Sequence, residues 1–336
     1  MFKNKSILVT GATGSFGKYF IEYIIKNYPN FKRLAIFSRD ELKQFEMSNQ
    51  KKFQHPNLRM FIGDIRDKER LQRALEGIDI VIHAAALKQV PTAEYNPFEF
   101  VKTNVIGTQN LVEACIDSNV EKVVALSTDK ASSPINLYGA TKLCSDKIVL
   151  SANNIKGKRK IAFSVVRYGN VMGSRGSVVP FFLKVFSNKK KLPLTHFEMT
   201  RFNISLIAAI KLVEKAITNS LGGEIYVPKL KSFYIRDLIQ AITGKKNYFK
   251  IIGIRPGEKI HEELINPSET KNTVAHKDHY VILSNFSKKQ VLNYCKKKNY
   301  KRVSSKFSYN SGTNLKFMNL KELKTLLQNT DLNIVK

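Results

Sequence analysis

Thr10-Gly11-Ala12-Thr13-Gly14-Ser15-Phe16-Gly17 lies between a short apolar run, residues 6–10, and a helical pattern over residues 16–28. Its glycines follow G-x-x-G-x-x-G, a variant of the dinucleotide-binding fingerprint. Small residues let the backbone approach a pyrophosphate, which then rests on the N–H groups at the start of the helix. The pattern carries this meaning only at a strand–helix junction of an alternating α/β chain, and the flanking sequence supplies that context. Gly11, Thr13, Gly14, Ser15, Phe16 and Gly17 are therefore the expected phosphate-side contacts of a dinucleotide cofactor.

Outward from this loop, apolar runs recur at residues 33–38, 58–63, 80–83, 122–127 and 161–167, separated by helical stretches such as 101–118. Short continuous apolar strands with intervening helices predict a doubly wound parallel sheet, an α/β Rossmann fold whose ligands lie beyond the carboxyl ends of the strands. After Gly169 the rhythm changes. Residues 173–177 read as a loop, 180–188, 200–219 and 235–243 as helices, 224–227 and 249–253 as strands, and 266–277 as polar and irregular. The expected division is a cofactor domain over 1–170 plus about 200–228, with a smaller α/β substrate lobe from 171–199 and 229–336.

NAD-binding folds commonly end the second strand with an acidic residue that accepts from the ribose hydroxyls. Here the strand ends at Ser38 and Arg39, with Asp40 and Lys43 just beyond. A hydroxyl and a guanidinium suit a 2′-phosphate, so the expected cofactor is NADP. Asp64 and Ile65, after the third strand, are placed for the adenine. Ala84 and Ala85, after the fourth, offer a flat small surface.

The chain of 336 residues carries a formal charge of +29, which raises the question of nucleic acid. Its lysines are scattered rather than gathered in a stripe with aromatics, so the reading is no nucleic-acid binding and a positive field that collects an anionic substrate. No apolar run approaches the roughly 20 residues needed to cross a bilayer, which predicts no membrane insertion. Three cysteines without metal or redox spacing, and no signal-peptide pattern, point to the cytoplasm. His261, His276 and His279 show no metal spacing with carboxylates, and no metal is expected.

Tyr138 and Lys142 are four apart at the start of a helical run, which places them on one helix face. A neighbouring ammonium lowers a phenol from its ordinary pKa of about 10 toward a usable base. Ser127, Thr128, Asp129 and Lys130 end the fifth strand at the same edge of the sheet, where a hydroxyl can share the proton of an alcohol being oxidised.

The glycine loop, this hydroxyl and the Tyr138/Lys142 pair together resemble the extended short-chain dehydrogenase/reductase family. Its sugar-nucleotide dehydratases carry Thr-Asp-Glu at this strand end. Thr128-Asp129-Lys130 instead resembles the configuration-inverting branch that acts on UDP-N-acetylglucosamine. Further resemblances are 84–88 (AAALK), 93–97 (AEYNP), 136–147, 167–170 (RYGN), 174–177 (SRGS), 199–202 (MTRF) and 255–259 (RPGEK). One departure is Asn203, where the family usually has Trp.

The resemblance implies an NADP-dependent hydro-lyase with Lys130 as C5 base, Asp129 as acid toward the C6 hydroxyl, Tyr138 and Lys142 at C4, and Thr128 or Ser127 in the relay. The base role requires a neutral Lys130 amine, expected from burial and nearby cations. Lys88 and Val171 then flank the cofactor. Lys88, Asn170, Arg175, Gly176, Ser177, Val178, Phe181, Arg201, Arg255 and Glu258 surround the sugar nucleotide, the arginines facing its phosphates. It also implies a homo-oligomer, a hexamer in this branch, and a product that feeds a surface sugar such as pseudaminic acid. A dehydratase/3-epimerase, a UDP-sugar 4-epimerase and a non-catalytic NADP-binding protein stand as alternatives.

Overall fold

The computed structural model describes residues 1–174 and 176–328. In the first half, strands β1 (Ser6–Thr10), β2 (Arg33–Ser38), β3 (Leu58–Ile62), β4 (Ile80–His83), β5 (Lys122–Thr128) and β6 (Ala162–Tyr168) alternate with helices. The helices are α1 (Ser15–Asn27), α2 (Glu41–Ser48), α3 (Lys68–Leu75), α4 (Val90–Tyr95), α5 (Pro97–Phe100), α6 (Gly107–Asp117) and α7 (Leu137–Ile155). Local chemistry starts them: Asp40, Asp67 and Asn136 accept from the backbone N–H groups of Lys43, Arg70 and Gly139. The helix expected over 101–118 opens with a π-helical turn, Val101–Ile106, before α6. There the Asn104 side chain bridges the N–H and carbonyl of Leu87, tying the helix to the loop after β4.

The second half contains β7 (Asn170–Val171), α8 (Val178–Ser187), β8 (Leu192–Leu194), β9 (Thr200–Ile204), α9 (Leu206–Asn219) and β10 (Ile225–Pro228). Then come β11 (Lys231–Tyr234), α10 (Ile235–Thr243), β12 (Phe249–Ile251), β13 (Glu263–Ile265), β14 (Thr273–Ala275) and β15 (His279–Ile282). The described chain finishes with α11 (Lys288–Lys298), β16 (Lys301–Arg302), β17 (Tyr309–Asn310) and α12 (Leu320–Gln328).

The main sheet has the order β16-β14-β15-β10-β6-β5-β4-β1-β2-β3. From β10 to β3 every pairing is parallel, as the apolar runs predict. One face buries Phe20, Ile21 and Ile24 of α1 with Ile210 and Val213 of α9. The other buries Leu71, Leu111, Val112 and Val149 of α3, α6 and α7. A separate small core joins Phe182, Leu192, Leu194, Leu238, Ile239 and Leu323.

Three readings of the second half are corrected. The helix expected over 200–219 begins only at Leu206, capped by the Ser205 hydroxyl; residues 200–204 are β9. Its apolar residues alternate in the strand manner, and β9 pairs with β11 on one side and β7 on the other. The stretch read as irregular, 266–277, contains a 3₁₀ turn with an Asn266/Glu269 capping box and then β14. The boundary drawn at 229 is also crossed, because β15 joins the main sheet antiparallel to β10, and β14 and β16 extend it by further antiparallel pairings. Without them β10 would present an open row of backbone donors and acceptors.

Candidate active site

The carboxyl ends of β1, β4, β5 and β6 open on one cavity of about 1260 Å³. Its floor is the glycine loop. Gly11 has φ +64°, and a Cβ there would meet the backbone of Ala84 and Ala85 at 2.7 Å. Only glycine lets this loop lie against the end of β4. No side chain caps the start of α1, so the backbone at Gly14 faces the cavity in the manner of a phosphate cradle. Asn170 Oδ1 and Ser177 Oγ, in residues on the same wall, are buried without a hydrogen-bond partner among the described residues. These features fit a dinucleotide.

At the end of β5 the Thr128 hydroxyl donates to Asp129 Oδ1 at 3.0 Å, and the Lys130 ammonium lies 3.0 Å from the same oxygen. Asp129 is 1% exposed. Burial raises its pKa, and the Glu262 carboxylate adds to the rise against the pull of Lys130. Tyr138, from the first turn of α7, is pushed up to about 12 by burial, with Lys130 and the Thr128 hydroxyl opposing. The lowered phenol expected from the Tyr138/Lys142 spacing is thus not found, because burial outweighs the nearby charge, and the cation opposing the rise is Lys130 rather than Lys142. Lys142 donates to the Leu126 carbonyl at 2.9 Å, and burial lowers its own pKa. Gly139 holds the two halves together, because a side chain there would collide with the Lys130 carbonyl.

Residues 7–284 match the family described as polysaccharide biosynthesis protein. The chain belongs to that polysaccharide biosynthesis family. Among its relatives, a UDP-N-acetylglucosamine 4,6-dehydratase (inverting) of Campylobacter jejuni is 49% identical over 98% of this chain and 99% of its own. A UDP-glucose 4-epimerase of Rickettsia felis is 39% identical over 98% of this chain and 97% of its own. The crystal structure of Pen from Bacillus thuringiensis superposes with a TM-score of 0.89 at 37% identity, covering 99% of both chains. DesIV, a dTDP-glucose 4,6-dehydratase of Streptomyces venezuelae solved with NAD and TYD, shares the fold: TM-score 0.69, 22% identity, 88% of this chain and 98% of that one.

In this family member the cavity wall carries many of the expected residues. They include Thr13, Gly14, Ser15, Phe16, Gly17, Lys43, Ala84, Lys88, Ser127, Asn170, Val171, Gly176, Ser177, Arg201, Arg255 and Glu258. Enclosure first, and then the Lys130 charge, lower the pKa of Lys88.

Other expected residues stand apart from the wall. Ser38 turns its hydroxyl to Thr13 Oγ1 at 2.8 Å, and Asp40 is engaged as the α2 cap and with Lys43. Arg39 lies 3.8 Å from Asp64, which Arg66 binds at 2.7 Å. Burial works against the Asp64 carboxylate, yet the Arg66 hydrogen bonds hold its pKa below the ordinary value. Ile65 packs beneath Gly107, and Ala85 directs its N–H to the Thr10 hydroxyl. Val178 packs on the small-lobe core while Phe181 is exposed beside Phe182, because α8 turns that face away from the cavity. Arg175 lies outside the described residues.

Three further expectations change. The Ser127 hydroxyl donates to Asp146 Oδ2 at 2.7 Å, so Thr128 is left as the hydroxyl beside Tyr138. Lys130 is not eased toward neutrality. Burial pushes its pKa down, but Asp129 and Glu262 outweigh burial and raise it. The histidines near the end of the chain do have a carboxylate neighbour: the β14–β15 turn brings His276, Asp278 and His279 within 4.8 Å, away from the cavity, with Lys215 already paired to Asp278.

Glu262 is the residue that sequence reading missed. It is 2% exposed, lies 3.2 Å from Lys130 and 3.6 Å from Arg201, and sits on the cavity wall. Only its place just after the 255–259 stretch could have drawn attention to it. Arg201 itself donates to the Thr200 and Ile260 carbonyls at 2.7 and 3.1 Å. His83 is buried, with Nδ1 2.8 Å from Thr10 and Nε2 3.2 Å from Thr108, and burial followed by the Lys142 charge lowers its pKa to about 3. It is a neutral structural residue.

Proposed function

We propose that this chain is an NADP-dependent UDP-N-acetylglucosamine 4,6-dehydratase that inverts C5, forming UDP-2-acetamido-2,6-dideoxy-β-L-arabino-hex-4-ulose on the way to a sugar such as pseudaminic acid. The observation that carries the reading is the Asp129–Lys130 hydrogen bond, buried beside Tyr138 and Thr128 in the cavity beyond the strands. A simple 4-epimerase moves only the C4 hydrogen and needs no acid–base pair for C5 and C6. Similarity to the Campylobacter jejuni dehydratase over nearly the whole chain supports the same reading.

NADP, when bound along the glycine loop, supplies the hydride acceptor for C4 and returns the hydride at C6. Tyr138 takes the proton of the C4 hydroxyl through Thr128, and Lys142 holds the ribose side of the site. The C4 ketone acidifies the C5 hydrogen. Lys130 becomes a base by passing a proton to Asp129 across their 3.0 Å hydrogen bond. That single transfer creates a neutral amine and a carboxylic acid together, with no change in net charge. The amine then removes the C5 proton, and Asp129 protonates the departing C6 hydroxyl, which leaves as water. The pair ends as it began. A proton returns to C5 from the opposite face, matching the one taken from the C4 hydroxyl. Arg39, with Ser38 and Lys43, is the proposed recognition element for the 2′-phosphate, and Arg201 and Arg255 for the diphosphate.

Incubation with UDP-N-acetylglucosamine and NADP⁺ in deuterated water, followed by NMR, tests the reading. The expected product is a 6-deoxy-4-ketose of L-arabino configuration with deuterium at C5. The Rickettsia felis relative favours a second reading, a 4-epimerase. UDP-N-acetylgalactosamine as product would establish that one instead.

A further inference from the structure

We propose that Glu262 is a positioning residue for the acid–base pair, its buried carboxylate holding Lys130 against Asp129 from the far side. This inference rests on the dehydratase reading for its catalytic meaning, and on geometry for its existence.

The row is built from distant parts of the chain. Lys130 Nζ lies 3.0 Å from Asp129 Oδ1 and 3.2 Å from Glu262 Oε1, so one ammonium separates two carboxylates. Both acids are almost fully enclosed, at 1% and 2% exposure. Glu262 is fixed through its backbone: its N–H donates to Ser311 Oγ at 2.9 Å, and its carbonyl accepts from Ser311 N–H at 2.8 Å. The second oxygens, Asp129 Oδ2 and Glu262 Oε2, are buried without hydrogen bonds among the described residues. Burying two carboxylates with unused lone pairs costs stability. The arrangement therefore serves the cavity rather than the packing.

Each member faces other charges. Asp129 meets Lys130 and Glu262, with the Thr128 and Tyr138 hydroxyls on the near side. Lys130 meets both acids, Arg201 from β9 and Lys88 from the loop after β4. Glu262 meets Lys130, Arg201 and Lys259. Burial works against its ionised form, yet these cations hold its pKa below the ordinary carboxylate value. Glu262 is thus the standing anion of the row, and its field raises the proton affinity of both Asp129 and Lys130. Removing that charge lowers both apparent pKa values of the pair.

The experiment compares wild type with Glu262→Gln by two readouts. The first is ligand-free NMR titration of the protein carrying ¹³C-labelled aspartate, which needs no turnover. The second is the pH profile of C5 deuterium incorporation from UDP-N-acetylglucosamine. We expect the Asp129 titration and both limbs of the profile to move to lower pH by about one unit. On the alkaline limb this is about tenfold in rate at fixed pH. Glu262→Asp restores part of the shift. An Asp129 titration that stays in place overturns the proposal, as does a raised KM with an unmoved profile, which would assign Glu262 to Arg201 and the substrate. Should Glu262→Gln fail to fold, Glu262→Ala, which also removes the charge, carries the same titration, and an unmoved titration there overturns the proposal too. A wild-type enzyme that forms no ketose overturns the dehydratase reading alone, since the titration still decides the role of Glu262.

Discussion

At the residue scale, Lys130 and His83 make opposite predictions. Lys130→Ala removes the proposed C5 base, so deuterium incorporation at C5 should fall at least about a thousandfold while the fold persists; general-base contributions are of order 10²–10⁴. Proton NMR of recovered substrate and product measures it, and retained exchange would remove Lys130 from the mechanism. His83 is buried and neutral, with its folded pKa depressed to about 3 from an ordinary 6.5. Its contribution to stability is therefore full above about pH 6.5 and is lost as pH falls toward the folded value. Between pH 7 and pH 5 the linkage amounts to about 2 kcal/mol. His83→Gln should flatten the fall in Tm over that interval, and an unchanged slope would contradict the assignment. Much of this chemistry was legible in the sequence, because Tyr138/Lys142 and Thr128-Asp129-Lys130 are local patterns. Glu262 was not, because its pairing with Lys130 depends on a loop returning across the cavity from far along the chain.

At the element scale, the decisive contact is between α7 and the turn after β5. Gly139 packs against the Lys130 carbonyl, so the helix carrying Tyr138 sets the position of the Asp129–Lys130 pair. Gly139→Ala should force the two apart and lower kcat by roughly tenfold or more, as small misplacements of catalytic groups do, with little change in the affinity for NADP measured by fluorescence quenching. Wild-type kcat in this variant would show that the turn tolerates displacement. The alternation of strands and helices before residue 170 was readable because each strand is a continuous apolar run. Strand β9 was not. Its five residues run directly into the amphipathic α9, and only its partners β7 and β11 make them a strand. Strands β14 and β16 were hidden for the same reason, being three and two residues long.

At the scale of the whole molecule, the formal charge of +29 acts on encounter rather than fold. Raising ionic strength from about 0.01 to about 0.15 M shortens the screening length from about 30 to about 8 Å. The kcat/KM for the dianionic sugar nucleotide should fall about three- to tenfold with kcat unchanged. Steady-state kinetics at matched pH would measure it, and a flat response would mean the field is spread too evenly to steer. Tyr95, Phe98 and Ile106, on α4, α5 and the π turn, are exposed apolar side chains. The antiparallel annex β15-β14-β16 has a consequence for how the protein is made. On a ribosome, the parallel sheet emerges with β10 as an open margin, and its seal is translated tens of residues later. Until then the nascent chain is a template for other strands, so synthesis rate, holding chaperones and the choice of truncation point bear directly on the yield of native enzyme. The last strand of the main sheet to arrive, β16, is two basic residues long, a short charged hem that ends the sheet where further pairing would be aggregation.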